Sequence, residues 1–211
     1  MCGRYKLTTE FKELPTILKK NLPKGFEQNY AKQELIRPSD PVLVVKNEGK
    51  ISSALMIWGY ISEWAKSPFE ENIPRPFNAR SETVSEKKIF RSSWRYKRCL
   101  IPANGFFEKD FIISRKDLKT FWLGGIWSRW MSSDGSELES CCVLTTQSNE
   151  LIKPLHHRMP VIIPNGLEAD WLVSVKDLFE LRALEPMLGI WSSAEWKIDK
   201  KDRPTSQMEL F

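Results

Sequence analysis

The way apolar residues are distributed along this chain limits its fold more than any other sequence feature. They fall in short runs separated by proline, glycine and polar turns, and none approaches the roughly 18 residues of a membrane-spanning helix. Short apolar runs bounded by turn residues are typical of β-strands. We therefore predict strands at positions 42–45, 51–58, 98–101, 107–114, 120–127, 140–146 and 161–163.

Helical patterns are few and short. One helix is predicted between residues 8 and 20, where Pro15 limits its regularity, and two more begin near Asn165 and Ser174. The strands do not alternate with helices as in parallel α/β folds, and the sequence has no glycine-rich phosphate loop. We predict an α+β fold with a central antiparallel, barrel-like β-sheet flanked by short helices.

Composition agrees with one ordinary globular domain. Hydrophobic residues make up 41% of the 211 residues and charged residues 28%. A chain of this size buries about 70% of its surface on folding, enough for a core without metals or disulfides. The first residues lack the apolar stretch of a secretory signal. We expect a single domain over 1–211 with a polar tail from about 200 to 211, located in the cytoplasm and without membrane contact.

The charge balance favours a polyanionic partner. Lysine and arginine number 32 against 27 acidic residues, which gives a net charge of +5 and a pI near 9.0. Nine tryptophans is a high number for this length; some must belong to the core, but indole rings can also stack on bases. The four cysteines show no C-x-x-C spacing and the two histidines are adjacent. We therefore expect free thiols, no metal and no cofactor.

The first candidate site is Cys2, which follows Met1. A small residue in second place permits removal of the methionine, which leaves a cysteine with a free α-amine beside its thiol. Reference pKa values of roughly 7.7–8.0 for such an amine and 8.5 for a thiol give both groups nucleophilic fractions near neutral pH. A 1,2-aminothiol condenses with an aldehyde to an imine, which the thiol closes to a thiazolidine. The ordinary alternative is a cysteine without function.

Three further clusters place polar residues beside apolar runs. Asn78 and Arg80 follow a proline-rich loop, where an amide can orient a carbonyl or amine and a guanidinium can bind phosphate. Glu108 follows two phenylalanines, a position that suits general acid or base chemistry. His156 lies shortly before Arg158 at a strand junction, which suits proton transfer beside an anion. Taken singly, each cluster has a more common explanation. The Asn78 segment would be a capped helix start with a solvated arginine, Glu108 a surface carboxylate, and His156 a structural histidine.

A basic stretch over residues 87–98 also points to a polyanion. It holds six cations and no acid, interleaved with Phe90, Trp94 and Tyr96. Such a stretch fits a groove that follows a nucleic-acid backbone and stacks rings on its bases. A basic helix that packs its aromatic residues inward explains it nearly as well.

Five motifs follow one another in the order and spacing of one protein family. They are Met1-Cys2-Gly3-Arg4, Trp58-Gly59, Asn78-Ala79-Arg80-Ser81-Glu82-Thr83, the run from Cys99 to Glu108, and His156-x-Arg158-Met159-Pro160. Together they resemble the SOS-response-associated peptidases, also described as abasic-site processing proteins, over positions 1 to about 163. Each motif alone is weak, but coincidence is a poor explanation for all five in order.

The resemblance implies a DNA-repair protein that binds single-stranded DNA and shields abasic sites in the DNA damage response. It implies a thiazolidine crosslink between mature Cys2 and the open-chain aldehyde of the site, and the same groups could release a residue that precedes Cys2. The matching catalytic positions are Cys2, Asn78, Glu108 and His156. The matching DNA contacts are Arg4, Arg80, Thr145, Arg158 and, as a base-stacking ring or else a core residue, Trp64.

Two departures and two alternatives accompany the resemblance. Lys32 and Lys109 stand where the family often has a proline and a tryptophan, so base stacking and junction preference stay open. One alternative is an N-terminal-nucleophile or cysteine peptidase with Cys2 and His156 as the dyad. The other is a non-catalytic module that binds single-stranded DNA. We expect a monomer, associated with the nucleoid when bound to DNA.

Overall fold

The computed structural model describes residues 2–68, 74–175 and 177–201. Almost all of the tail predicted from about residue 200 lies outside these ranges. The strands are β1 (Tyr5–Leu7), β2 (Gln33–Ile36), β3 (Pro41–Asn47), β4 (Ile51–Trp58), β5 (Asn78–Arg80), β6 (Arg98–Ala103), β7 (Gly105–Glu108), β8 (Phe111–Arg115), β9 (Phe121–Met131), β10 (Glu137–Gln147), β11 (Arg158–Pro160), β12 (Ile162–Ile163) and β13 (Trp196–Lys200). The α-helices are α1 (Thr16–Lys19), α2 (Arg91–Tyr96), α3 (Glu168–Leu172) and α4 (Leu178–Arg182), and 3₁₀ turns cover Phe11–Glu13, Phe26–Asn29 and Glu185–Leu188.

Five strands close into a barrel, as the sequence predicted. Around the barrel the order is β3, β4, β10, β9 and β6, and β6 pairs with β3 to complete the ring. Four of these pairings are antiparallel, whereas β4 and β10 run parallel. Closure pairs the strands at both edges and so leaves no open edge in the ring.

The remaining strands carry the candidate site. β5 lies parallel to β10, and β11 lies antiparallel to it further along the strand. A second sheet has the order β13-β8-β7-β1-β2 and contains the N-terminal segment. Because β1 pairs with β7, the residues just before Tyr5 lie beside the end of β7 at Glu108.

Large aromatic residues fill the core. Trp58, Trp122, Trp127 and Trp171 are all buried, so the prediction that some tryptophans belong to the core is confirmed. Strands β9 and β10 approach closely at Gly125, where a Cβ atom would lie 2.8 Å from the carbonyl oxygen of Cys142. Only glycine fits at that position. None of the helices in the described ranges has the length and apolar character needed to cross a bilayer.

The predicted strand 107–114 is wrong, because the chain turns in its middle. β7 ends at Glu108 and β8 begins at Phe111, with Lys109 in the left-handed region at φ +54°. The apolar run crosses a hairpin that contains no glycine or proline to signal it. β13 is a strand that the sequence analysis missed, because it pairs with β8, which is distant in sequence.

The predicted helices are shorter than expected. The helix expected over residues 8–20 is divided into a 3₁₀ turn and α1 by Leu14 and Pro15, which are both extended. α3 begins at Glu168, three residues after the predicted start near Asn165, and has no side-chain cap. The side chain of Asp177 caps α4 in place of Ser174.

Candidate active site at the N-terminus

Cys2 lies where the barrel and the second sheet meet. The side-chain amide of Asn78 on β5 donates a hydrogen bond of 2.9 Å to the Cys2 carbonyl oxygen. The backbone of β7 holds the same segment, since the Phe107 N–H donates to the Arg4 carbonyl oxygen at 2.9 Å. Cys2 is only 1% exposed. These contacts fix both the main chain and the thiol of this residue.

Burial and charge keep the Cys2 thiol protonated. Burial is the larger cause and the Glu108 carboxylate adds to it, and together with smaller opposing effects they raise the pKa of Cys2 to about 12. Glu108 is itself buried at the end of β7. At neutral pH the thiol is therefore a neutral S–H group that interacts electrostatically with the Glu108 carboxylate.

His156 interacts with the same carboxylate. Burial lowers the pKa of His156 below 6.5, and the charge of Glu108 opposes that shift. The Arg158 amide N–H donates to His156 Nδ1 at 2.9 Å, so in the neutral ring the proton is on Nε2. The ring stacks on His157 with centroids 4.3 Å apart. The choice of His156 over His157 as the functional histidine stays a prediction.

Asn78 presents a buried acceptor. Its amide nitrogen is used by Cys2, whereas no donor within the described ranges reaches its Oδ1 atom. A buried acceptor without a partner costs roughly 1–3 kcal/mol. The arrangement suits a site in which a ligand hydroxyl or amine supplies the missing hydrogen bond.

Arg158 and Thr145 contact protein groups. The guanidinium of Arg158 donates to both carboxylate oxygens of Glu82, at 2.6 and 2.8 Å, and to the carbonyl and hydroxyl oxygens of Thr145. Arg158 is 7% exposed and Thr145 is fully buried. Their DNA contacts stay predictions, and the geometry adds a structural role in joining β11 to β10 and the segment after β5.

The other predicted DNA contacts are accessible. Arg80 is exposed and lines a cavity of about 330 Å³ together with Asn78 and Lys87. Arg4 is half-buried, and its guanidinium donates to the Lys109 carbonyl oxygen at 2.7 Å. Trp64 is 67% exposed, which excludes the alternative of a ring packed in the core.

Comparison with known proteins places this geometry in a family. The family model described as SOS response associated peptidase (SRAP) matches residues 1–198. The chain belongs to the SRAP family. The resemblance inferred from the motifs is thereby confirmed.

Relatives support the same assignment. Abasic site processing protein YoqW of Bacillus subtilis is 36% identical over 185 residues, which cover 82% of this chain and 80% of YoqW. YoaM of the same organism, also named an abasic site processing protein, is 35% identical over 82% of this chain and 79% of its own. A crystal structure of a Bacteroides thetaiotaomicron protein has the same fold, with a TM-score of 0.79 at 22% identity over 93% of this chain and 90% of its own.

The residues of the basic stretch 87–98 of this SRAP protein are partly buried and partly exposed. Phe90 and Trp94 are buried, whereas Tyr96 is 55% exposed. Arg98 is buried and donates to the carbonyl oxygens of Trp94, Arg95, Trp171 and Val173. Inward packing is therefore confirmed for Phe90 and Trp94 but not for Tyr96, and Arg98 is a structural residue.

Two features of this SRAP protein were missed or left open by the sequence analysis, Glu82 and Lys32. Glu82 belongs to a recognised motif, but only the fold reveals that it pairs with Arg158. Lys32 forms an exposed ion pair with Glu10 at 2.6 Å. No group of metal-binding side chains occurs in the described part of the chain. The cysteines are free, as predicted.

Proposed function

We propose that this protein binds single-stranded DNA and captures the aldehyde of an abasic site as a thiazolidine at mature Cys2, which shields the lesion. The observation that carries the proposal is the gathering of Asn78, Glu108 and His156 around the N-terminal cysteine. The names of YoqW and YoaM, both abasic site processing proteins, support the substrate class.

The raised pKa of the Cys2 thiol sets the order of the steps. Burial keeps the thiol protonated at neutral pH while Met1 is attached, so in mature Cys2 we propose that the α-amine attacks the aldehyde carbon first. The resulting carbinolamine loses water to give an imine. The thiol then adds to the imine carbon, and its proton passes to the imine nitrogen. The balance is one aldehyde and one aminothiol converted to one thiazolidine and one water.

Each neighbouring side chain has a role in this sequence. Glu108 takes a proton from the attacking amine and returns one to the departing hydroxyl, since it interacts electrostatically with Cys2. Asn78 fixes the Cys2 carbonyl and offers Oδ1 to a sugar hydroxyl. Neutral His156, with its proton on Nε2, donates to the sugar-ring oxygen during ring opening.

The same arrangement disfavours a peptidase that uses a Cys2–His156 dyad. Such a dyad needs a thiolate, whereas burial raises the pKa of Cys2 to about 12. Release of a residue that precedes Cys2 remains a prediction, because acid–base help from Glu108 serves amide cleavage as well as imine formation. Arg4, Arg80 and Trp64 are proposed to hold the strand while the chemistry proceeds.

The test removes the two nucleophiles separately. Wild-type protein, Cys2→Ala and protein that retains Met1 are each incubated with single-stranded DNA containing an abasic site and run on a denaturing gel. Only processed wild-type protein should give a stable band. Cys2→Ala retains the amine and should give a weak, reducible adduct with more strand cleavage, because imines promote β-elimination.

Binding to a tetrahydrofuran analogue, which has no aldehyde, is the control and should be similar for all three proteins. Equal crosslinking by protein that retains Met1 would refute the thiazolidine mechanism. A shift on native gels without any covalent band in wild-type protein would favour the non-catalytic binding module.

A further inference from the structure

A second cationic surface borders the Glu108 side of the site. After β13 the chain is held at Lys201, whose amide N–H donates to the Asp110 carbonyl oxygen at 2.7 Å. Lys201 Nζ lies 5.5 Å from the centroid of the Phe107 ring, and the Arg4 guanidinium carbon lies 5.9 Å from the same centroid. Cations from distant parts of the sequence therefore approach one ring, directly before Glu108.

The turn between β7 and β8 contributes an exposed lysine whose backbone contacts Arg4. Lys109 adopts φ +54° and is exposed, and its carbonyl oxygen accepts the hydrogen bond from Arg4. The left-handed turn thus joins Lys109 to Arg4, while the next residue along the turn holds Lys201. We call Arg4, Lys109 and Lys201 the Phe107 patch.

The Phe107 patch lacks acidic partners. Within residues 2–68, 74–175 and 177–201, none of its three cations forms an ion pair with a carboxylate. The cations around Trp127 are different, because Lys46 and Arg129 both pair with Glu48 and Glu139. Arg4 and Lys201 therefore approach the same ring without a paired carboxylate in these ranges, and a bound anion reduces the repulsion between them.

We propose that the Phe107 patch binds one backbone phosphate of the single strand next to the lesion. This inference rests on the proposed function and adds to it a second phosphate site, separate from the cavity lined by Arg80 and Lys87. The ring of Phe107 is buried and holds two of the cations in place. Two separate phosphate contacts fix the strand at two points.

The test compares Lys201→Gln with Lys200→Gln, an exposed neighbour outside the patch that changes the net charge equally. Dissociation constants for single-stranded DNA carrying one tetrahydrofuran lesion are measured across a salt series. Lys201→Gln should weaken binding roughly two- to fivefold, as for an exposed ion pair. Its salt slope should fall by about 0.7 relative to wild type, as for one lost phosphate contact. Lys200→Gln should leave the slope unchanged.

A methylphosphonate scan then identifies the phosphate. A neutral linkage is placed at each position flanking the lesion, and one of them should weaken binding by wild type but not by Lys201→Gln. An unchanged slope for Lys201→Gln, or equal sensitivity of both proteins at every linkage, would overturn the proposal. If wild type fails to crosslink aldehyde DNA but the slope and scan results hold, the proposed function fails and the phosphate site stands.

Discussion

Replacing Arg158 by methionine separates its structural role from a role in DNA binding. The guanidinium makes two hydrogen bonds to Glu82 and further contacts to Thr145. Removing one partner of a fully buried ion pair costs about 3–5 kcal/mol. Glu82 is 40% exposed, so water can rehydrate its carboxylate once the arginine is gone. We therefore expect a loss of about 2–3 kcal/mol in the free energy of unfolding.

The assay is urea and thermal unfolding at neutral pH. The melting temperature should fall by about 4–12 °C, at roughly 2–4 °C per kcal/mol for a chain of this length. Arg91→Met, at an exposed arginine on α2, is the control and should change stability by less than about 0.5 kcal/mol. In a double-mutant cycle, Arg158→Met and Glu82→Gln should couple by about 1–2 kcal/mol.

The pH dependence gives an independent check. The hydrogen bond from Arg158 lowers the pKa of Glu82 below its usual 4.5. A lowered carboxylate pKa contributes stability above pH 4.5, which is lost as pH falls through the folded-state pKa. The difference in the free energy of unfolding between wild type and Arg158→Met should therefore shrink as the pH falls below 4.5. Two results together would instead make Arg158 a phosphate contact. One is a loss in the free energy of unfolding below about 1 kcal/mol with no coupling to Glu82→Gln. The other is a salt dependence of DNA binding whose slope falls by about 0.7.

Two further predictions concern the acid–base groups of the site. Glu108→Gln should keep DNA affinity but slow crosslinking by a factor of about 10²–10⁴. The rate is measured as covalent product against time on denaturing gels. Wild-type rates in this variant would remove Glu108 from the mechanism. His156 should titrate below pH 6.5 by NMR, and lower still in Glu108→Gln, because the charge of Glu108 opposes the effect of burial on the pKa; an unchanged midpoint would mean that the two side chains do not interact.

The strands of the barrel were predictable because their signals are local. The predicted strand 51–58 coincides with β4, and the turn at Gly49, with φ +83°, separates it from β3. Apolar runs bounded by turn residues need no distant partner to be recognised. The hairpin at Lys109 gave no such signal, since a lysine rarely adopts a left-handed conformation. β13 was missed because its pairing with β8 joins distant segments.

The sequence alone determined the family, the barrel-like α+β fold and the residue types of the site, because motif order and apolar patterning are properties of the linear chain. Only the tertiary structure decided which cations are available to a ligand. Arg98 and Arg158 are buried against carbonyl and carboxylate oxygens, whereas Arg80 and Lys201 are exposed. A partner such as Glu82 is 76 residues away along the chain from Arg158. Burial and pairing arise from strand closure in space, which no local pattern encodes.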